Sequence, residues 1–317
     1  MASDTIAAYS NGTYRRRHTM TTASRFRALI QQEQLIVAPG AYDGITARLI
    51  EAAGFPAVYM TGAGTAATFG YPDYGLLTMS EMVENAGRIS SAVSVPVIAD
   101  ADTGYGNELN VVRTVREYER MGVAGIHIED QGFPKRCGHL DDKEIIPLDA
   151  YLAKMRAATE ARRNPDFMII ARTDSGAVAG FEEAIRRANA ALSAGADMAF
   201  VEAPHTMEEL AAVPKRVKGP CLLNVVRLGK SPDIDLATAR EMGYRLAIVP
   251  GLLFTCVVGA CESALAELKQ KGRHPVPPKD LPLKEVFRRF GASRGCSRQS
   301  SCYAVCISWV EARSLHH

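Results

Sequence analysis

The sequence predicts one parallel α/β barrel with eight strands, a (β/α)8 TIM barrel, and three observations support this. The chain has 317 residues, enough for a barrel of about 250 residues with short additions. Short runs rich in Val, Ile and Ala alternate with amphipathic segments about every 25 to 30 residues. Polar residues recur where these runs end, and the carboxyl ends of barrel strands converge on one face. An open doubly wound sheet is the alternative fold.

The predicted strands are short and mostly apolar, as expected for parallel strands that are buried on both sides. A predicted helix, Thr22–Gln34, precedes the first of them. In chain order the predicted strands are Leu35–Ala38, Ala57–Thr61, Val95–Asp100, Gly125–Glu129, Phe167–Arg172, Met198–Glu202, Cys221–Val226 and Leu246–Pro250.

Glycines mark where several of the intervening helices are expected to end, because a helix often stops at a residue with left-handed backbone. They are Gly54, Gly122, Gly195 and Gly243. The segment Glu108–Met121 has the spacing of an amphipathic helix. Its predicted buried face carries Leu109, Val112, Val115, Tyr118 and Met121.

The chain is expected to divide into four parts. Residues 1–21 are predicted to be a flexible extension that carries three consecutive arginines, at positions 15 to 17. Residues 22–272 are expected to form the barrel, and residues 273–292 a Pro-rich linker followed by a helix at Leu283–Phe290. The remainder, 293–317, contains three cysteines, many serines and almost no acid. We expect this atypical tail to be largely disordered.

Composition excludes several classes of function. The net charge of +2 and the charged fraction of 23% do not provide the concentrated basic field that nucleic acids or membrane surfaces attract. No apolar stretch has the length of a membrane span. Seven cysteines occur without a CxxC pair, so a reducing compartment is expected. A cytoplasmic protein is predicted, and the arginines near the start leave the mitochondrial matrix as an alternative.

Four acids lie after successive predicted strands. Asp73 follows the second strand, Asp100 and Asp102 follow the third, and Glu129 ends the fourth. Helix capping or a surface ion pair is the usual role of any one such acid, but their recurrence favours a shared site. An all-oxygen set without His or Cys prefers Mg2+ or Mn2+ to zinc.

The segment Lys135-Arg136-Cys137-Gly138-His139 follows the fourth strand. A free cysteine is usually a small buried apolar residue. Here the basic neighbours are expected to lower the pKa of the Cys137 thiol or to transfer its proton, and Gly138 suggests a mobile loop. Cys137 is therefore predicted to act as an acid or base.

Further polar residues complete the ring of strand ends. Arg172 ends the fifth strand and suits bidentate capture of a carboxylate. Small residues at Thr61–Thr65 allow backbone N–H groups to approach an anion. Glu202 and Asn224 lie at the ends of the sixth and seventh strands. His127 lies within the fourth strand, where a packing role competes with a catalytic one.

Five motifs of this chain occur in the same order in the isocitrate lyase/phosphoenolpyruvate mutase superfamily, which the chain resembles over roughly residues 22 to 290. The resemblance implies a barrel that exchanges C-terminal helices with a partner as a homodimer or homotetramer. The motifs are Tyr71-Pro72-Asp73-Tyr74-Gly75, Asp100-Ala101-Asp102, Ile128-Glu129-Asp130, Lys135-Arg136-Cys137-Gly138-His139 and Ala171-Arg172-Thr173.

The resemblance also implies a role for each candidate residue. Mg2+ is expected on Asp102 directly, and on Asp73, Asp100 and Glu129 mainly through waters. The substrate is expected to contact the backbone at Thr61, Gly62 and Ala63 and the side chains of Tyr59, Arg172 and Asn224. Proton transfer is expected at Cys137, supported by Lys135, His139, Glu202 and Arg172.

Cys137 separates the branches of this superfamily, since its carbon–carbon lyases carry the cysteine and its phosphonomutases and oxaloacetate decarboxylases usually do not. The resemblance therefore implies a Mg2+-dependent lyase that cleaves a 2-hydroxy dicarboxylate of the 2-alkylmalate type. The products would be a 2-oxoacid such as pyruvate and a second carboxylate. In such a reaction Mg2+ polarises the 2-oxygen, a base removes the hydroxyl proton, the bond to C3 opens, and Cys137 protonates the carbanion.

Two departures keep other functions open. Methylisocitrate lyases have the pattern Asn-Ile-Thr-Glu-Phe-Gly after the seventh strand. In this chain, where the pattern begins at Asn224, Val226 replaces the Thr and Arg227 replaces the Glu. These replacements favour a smaller substrate. Oxaloacetate hydrolases have a serine near the eighth strand, and the segment 250–253 contains none. The alternatives are an oxaloacetate hydrolase or decarboxylase, a methylisocitrate lyase, a carboxyphosphonoenolpyruvate or phosphoenolpyruvate phosphonomutase, and a variant that the atypical tail has made inactive.

Overall fold

The computed structural model describes residues 20–32, 34–277 and 279–291. Eight parallel strands close into a barrel in chain order, and the last pairs with the first, so the predicted TIM barrel is confirmed. Each strand begins and ends within three residues of its predicted position. The strands are β1 (Ile36–Ala41), β2 (Val58–Met60), β3 (Val97–Asp100), β4 (Gly125–Glu129), β5 (Met168–Thr173), β6 (Met198–Val201), β7 (Cys221–Asn224) and β8 (Leu246–Val249).

Helices surround the barrel, and the four glycines predicted to end helices all have positive φ, from 78° at Gly122 to 109° at Gly195. The helices in the described part of the chain are α1 (Thr22–Gln31), α2 (Gly44–Ala52), α3 (Gly62–Thr68), α4 (Met79–Ala92), α5 (Glu108–Arg120), α6 (Leu148–Ala161), α7 (Ser175–Ala179), α8 (Phe181–Ser193), α9 (Met207–Arg216), α10 (Leu236–Met242), α11 (Leu252–Lys271) and α12 (Leu283–Arg289).

Helix α1 closes the amino-terminal end of the barrel. Its residues Phe26 and Ile30 belong to the same buried cluster as Ile36, Met168 and Leu246, which begin strands. The interior is therefore a packed core rather than a channel, as in other barrels of this class. This plug leaves the opposite, carboxyl-terminal face for the polar residues.

The buried face of α5 differs from the predicted one. Leu109 is 73% exposed, and Val111 and Thr114 are buried instead, together with the correctly predicted Val115 and Tyr118. Thr114 tolerates burial because its hydroxyl donates to the carbonyls of Gly104 and Asn110, which satisfies its only donor.

The two C-terminal helices contrast with the barrel, because neither α11 nor α12 has a buried residue. Apolar side chains such as Val257, Leu265, Leu283 and Phe287 are more than two-fifths exposed. Among the described residues, no helix combines the length and the apolar content needed to cross a membrane. The predictions for residues 1–19 and for the tail 293–317 lie outside the described residues.

Candidate active site

The carboxyl ends of β2 and β3 place a carboxylate beside a glycine. Asp100 ends β3, and its Oδ1 accepts the backbone N–H of Asp102 at 2.9 Å. Gly62, the first residue of α3, lies so close that a Cβ built there would be 2.4 Å from Oδ2 of Asp100. Only glycine allows this approach, so the backbone at Thr61, Gly62 and Ala63 lies at the acid site.

Lys135 lies between two of the predicted metal ligands. Its Nζ is 2.5 Å from Oδ1 of Asp73 and 2.9 Å from Oδ1 of Asp102. Burial alone would lower the pKa of this ammonium, but Asp102 and Asp73 raise it well above its ordinary value. Lys135 is therefore a fixed cation whose charge is paired with Asp73 and Asp102.

Glu129 is buried in the barrel mouth with little compensation. It pairs in register with Arg172 on β5, whose Nε lies 3.2 Å from Oε2, yet neither of its oxygens accepts a hydrogen bond. Burial raises the pKa of Glu129 well above its ordinary value, although Arg172 and Lys135 oppose this. Such an unsatisfied carboxylate costs free energy unless another partner binds it.

The four acids fit a hard divalent cation by their chemistry. Burial and repulsion by Asp100 and Asp73 raise the pKa of Asp102 to about 6, against the lowering effect of Lys135. Both oxygens of Glu129 also lack a hydrogen-bond donor. A cation would relieve both the repulsion and these missing contacts. Among the described residues, no three Asp, Glu, His or Cys side chains converge closely enough to chelate an ion directly.

Arg172 is oriented by a residue that the sequence interpretation did not include. Its Nε donates to Oδ2 of Asp174 at 2.9 Å, and its guanidinium lies 5.2 Å from the ring centre of Phe200. Its Nη2 is 3.7 Å from Oε1 of Glu202. Asp174 comes directly after the Ala-Arg-Thr motif. Its position at the end of a predicted strand could have identified it as a site residue.

His139, Glu202 and Asn224 converge as predicted. Nε2 of His139 is 3.4 Å from Oε1 of Glu202, and Nδ2 of Asn224 donates to both oxygens of Glu202 at 3.2 Å. The backbone N–H of Lys230 donates to Nδ1 of His139 at 3.0 Å. In the neutral ring the proton therefore lies on Nε2, which faces the Glu202 carboxylate. Burial lowers the pKa of His139, although Glu202 opposes this.

The prediction of a lowered pKa for Cys137 is wrong. Burial, reinforced by the negative charge of Asp73, raises the pKa of this thiol to about 11. Lys135 points to the acids, and Arg136 is half exposed and lies 3.5 Å from Asp142. Neither neighbour stabilises a thiolate, so Cys137 is a protonated thiol at neutral pH.

Gly138 lets the loop backbone approach two charged side chains, and mobility of the loop stays a prediction. A Cβ at this position would lie 2.2 Å from Oε1 of Glu202 and 2.4 Å from Nη2 of Arg172. The glycine lets the loop backbone pack against both charged groups. The segment is therefore held against the site in this structure.

Tyr59 and His127 lie deeper in the barrel. The Tyr59 hydroxyl is 2.8 Å from Nε2 of His127 and donates to Oδ2 of Asp100 at 3.3 Å. Burial lowers the pKa of His127 to about 4, so the ring is neutral. It stacks on the ring of Tyr59 and meets the ring of Phe200 edge to face. This arrangement supports the packing role considered for His127 and links it to the acid site.

Residues 26–269 match the family model described as phosphoenolpyruvate phosphomutase. The chain belongs to this family. It is 48% identical to the 2,3-dimethylmalate lyase of Eubacterium barkeri over 73% of this chain and 80% of that protein. It is 45% identical to the 2-methylisocitrate lyase of Aeropyrum pernix, over 78% of this chain and 79% of the relative.

Solved structures agree with the sequence relatives. A 2,3-dimethylmalate lyase, described as a PEP mutase/isocitrate lyase superfamily member, superposes with a TM-score of 0.82 at 44% identity, over 86% of this chain and 92% of that one. An oxaloacetate acetylhydrolase with 3,3-difluorooxalacetate gives 0.82 at 40% identity, over 86% and 93%. A phosphonopyruvate hydrolase with oxalate and Mg2+ gives 0.77 at 32% identity, over 93% and 100%. The predicted superfamily and enzyme class, a carbon–carbon lyase, are confirmed.

Proposed function

We propose that the protein is a divalent-metal-dependent lyase that cleaves a 2-hydroxy dicarboxylate of the 2-alkylmalate type into a 2-oxoacid and a second carboxylate. The observation that carries the proposal is the buried thiol of Cys137 on a loop whose next residue, Gly138, packs against Glu202 and Arg172, at the mouth of a barrel that also holds four acids. A general acid beside a carboxylate-binding cation is what protonation of a departing carboxylate carbanion requires.

The substrate site is assigned to the face between β2 and β7. The substrate carboxylate would bind the guanidinium of Arg172 and the backbone N–H groups at Thr61, Gly62 and Ala63, because a planar guanidinium and converging N–H groups both suit carboxylate oxygens. Tyr59 and Asn224 border this space from β2 and β7.

The acids are assigned to a Mg2+ or Mn2+ ion. Asp102 is the proposed direct ligand, while Asp73, Asp100 and Glu129 would act mainly through waters, which suits their spacing and the reluctance of Mg2+ to lose its hydration shell. When bound, the ion would polarise the substrate 2-oxygen. Lys135 balances the acids and fixes Asp73 and Asp102 in place.

The groups that hold or transfer protons at the site, Cys137, His139 and Glu202, suit a lyase. Cys137 carries a proton at neutral pH because burial raises its pKa to about 11, so it donates to the carbanion as the C2–C3 bond breaks. His139 and Glu202, 3.4 Å apart, are assigned to proton transfer beside it. Gly138 packs against Glu202, which keeps this pair next to the thiol.

A second candidate is action on oxaloacetate, by hydrolysis or decarboxylation. It is supported by the oxaloacetate acetylhydrolase at 40% identity and TM-score 0.82. It is disfavoured by the absence of a serine in residues 250–253. Methylisocitrate, the substrate named for a relative at 45% identity, is the larger alternative within the lyases.

The decisive experiment measures pyruvate or other 2-oxoacid release from a panel of 2-alkylmalates, methylisocitrate and oxaloacetate with Mg2+. We expect turnover of a 2-alkylmalate that falls at least about a hundredfold in Cys137→Ser, the lower end for a positioned acid. The folded state and metal affinity should be unchanged. Near-normal cleavage by this variant would refute the thiol's role, and turnover of oxaloacetate without turnover of any 2-alkylmalate would favour the second candidate.

A separate measurement tests the metal assignment. Titration calorimetry of the metal-free protein should show Mg2+ or Mn2+ binding that Asp102→Ala abolishes, since this carboxylate is the proposed direct ligand. Glu208→Ala, an exposed acid on α9, is the matched control. Tight stoichiometric zinc with no response to Mg2+ would contradict the assignment.

The assembly is proposed to be a homodimer or homotetramer in which α11 and α12 pack on a second copy. The support is that neither helix has a buried residue while both expose apolar side chains. A cytoplasmic location, with the mitochondrial matrix as the alternative, accompanies the proposal, as does the division of the chain at residues 21, 272 and 292.

A further inference from the structure

The segment that carries Cys137, residues 133–143, is closed at its base by a short antiparallel pairing. Gln131 and Ile145 form an isolated β-bridge. The N–H of Gly132 donates to the carbonyl of Glu144 at 2.9 Å. We call residues 133–143 the Cys137 loop. Pairing of its two ends fixes the base of the loop on the barrel. The position of its tip needs further contacts.

The first internal attachment is the side-chain amide of Gln131, which is 1% exposed. Its Oε1 accepts the backbone N–H of Arg136 at 3.0 Å, and its Nε2 donates to the carbonyl of the same residue at 2.8 Å. The amide thus takes both hydrogen-bonding groups of the residue directly before Cys137, as a strand partner would.

The second attachment is Lys143, whose side chain is 1% exposed. Its Nζ donates to the carbonyl of Gly138, the residue directly after Cys137. It also donates to Oδ1 of Asp174 at 2.9 Å. A buried ammonium needs such partners, since an unpaired one would be too costly to desolvate.

The same Asp174 orients the substrate-binding cation. Its Oδ2 accepts from Nε of Arg172 at 2.9 Å, and the backbone N–H of Asp174 is held at 2.8 Å by the buried carboxylate of Asp130. Asp174 is therefore a rigid support that Lys143 and Arg172 share. The carboxylate of Asp174 therefore holds Arg172 directly and holds the Cys137 loop through Lys143.

We infer that Gln131 and Lys143 are positioning residues for Cys137, which fix the backbone on either side of the thiol and set its distance from Arg172. Neither residue touches the reacting atoms. The inference rests on the proposed proton donation by Cys137. It also predicts that the exposed contact of the same loop, Lys230 with Asp141, contributes little, because solvent screens an exposed ion pair.

The test uses the full chain and follows alkylation of Cys137 by iodoacetamide at pH 8, resolved from the other cysteines by peptide mass spectrometry. Lys143→Met and Gln131→Met keep side-chain length and remove the donors. We expect each to raise the alkylation rate of Cys137 at least about tenfold, because a displaced thiol leaves its buried setting and becomes more ionised. Lys230→Met, the matched variant on the exposed side, should change the rate by at most about fivefold.

A second readout separates positioning from a general loss of stability. With the turned-over substrate, Lys143→Met and Gln131→Met should lower kcat at least about tenfold while changing KM much less, because misplacement of a catalytic group acts on the chemical step. Lys143→Arg should recover part of the loss. Thermal unfolding identifies a variant that fails to fold. If either Lys143→Met or Gln131→Met does so, the alkylation rate and kcat of the other variant test the inference.

The outcomes are distinct from those of the proposed function, because alkylation requires no turnover. An unchanged alkylation rate in both variants overturns the inference, even if thermal stability or activity falls. A raised rate in both, with the Lys230→Met rate close to the parent, supports it. Failure of the proposed proton donation by Cys137 would appear instead as full activity of Cys137→Ser.

Discussion

Gly138 lies where two charged side chains, Glu202 and Arg172, approach the backbone of the Cys137 loop. We predict that Gly138→Ala lowers kcat at least about a hundredfold, because an added methyl group would overlap both side chains, and misplacement by about 1 Å can have an effect of this size. Steady-state kinetics measures it.

The control for Gly138→Ala is Gly132→Ala at the base of the same loop. There the nearest heavy atom to an added Cβ is 3.9 Å away, an ordinary contact, so kcat should stay within about twofold of the parent. Equal losses in the two variants would show that the loop is sensitive to any added methyl group. The close approach to Glu202 and Arg172 would then have no special importance.

The thiol of Cys137 should titrate unusually high. In the metal-free protein we predict that its alkylation rate rises about tenfold per pH unit from pH 8 to pH 10, because only the thiolate reacts and burial raises its pKa to about 11. An unperturbed cysteine would approach its plateau near pH 9. A plateau for Cys137 at or below pH 9 would contradict the prediction.

At the residue scale, the sequence identifies which residues meet but not how their charges are directed. Asp100, Glu129, Glu202 and Asn224 all lie at strand ends, and the fold brings them together as predicted. The pKa of Cys137 was mispredicted because burial of the thiol and the charge of Asp73, which is distant along the chain, outweigh its basic neighbours. Lys143 was missed because a lysine in a polar loop gives no signal that its ammonium is buried.

At the element scale, α1 matters because its side chains fill the amino-terminal end of the barrel. We predict that Phe26→Ala lowers the free energy of unfolding by about 3–5 kcal/mol, the range for truncating a fully buried phenylalanine, since Phe26 is 0% exposed. Urea denaturation measures this. The exposed Gln31→Ala in the same helix should change it by no more than about 0.5 kcal/mol.

The location of Phe26 adds a second expectation. It packs with residues that begin strands, whereas the acids lie where strands end, so Phe26→Ala should leave divalent-metal affinity unchanged at temperatures where the chain is folded. A loss of affinity equal to that of Asp102→Ala would show that the two ends of the barrel are coupled.

Helix α5 shows why element faces are harder to predict than element positions. Its apolar residues fit two overlapping helical stripes, one through Leu109 and Val112 and one through Val111 and Val115. The second is the buried one, and Thr114 on that side satisfies its hydroxyl with the carbonyls of Gly104 and Asn110. Hydropathy alone counts Thr114 against this face, because hydropathy does not include hydrogen bonds formed in the folded protein.

At the scale of the whole molecule, closure of the barrel accounts for most of the predicted site. Residues from Asp73 to Asn224 are separated along the chain, yet strand ends that follow one another must converge once eight parallel strands close. The contacts between loops were not predicted, because barrel closure does not determine where loops run. Gly138, Lys143 and Lys230 lie on segments whose paths are set by packing rather than by strand register.

The last prediction concerns assembly and the tail 293–317. The full chain and a chain truncated after Ala292 should both be dimers or tetramers with equal activity, because the apolar side chains proposed to bind a second copy lie before residue 292. Burying side chains such as Leu283 and Phe287, now 72% and 59% exposed, contributes about 1.5 to 3 kcal/mol each. Light scattering should therefore show that Leu283→Asp combined with Phe287→Asp weakens the oligomer, while Lys284→Ala on the same helix does not. A monomeric full chain beside an oligomeric truncated one would instead mean that the tail blocks assembly, as the inactive-variant alternative requires.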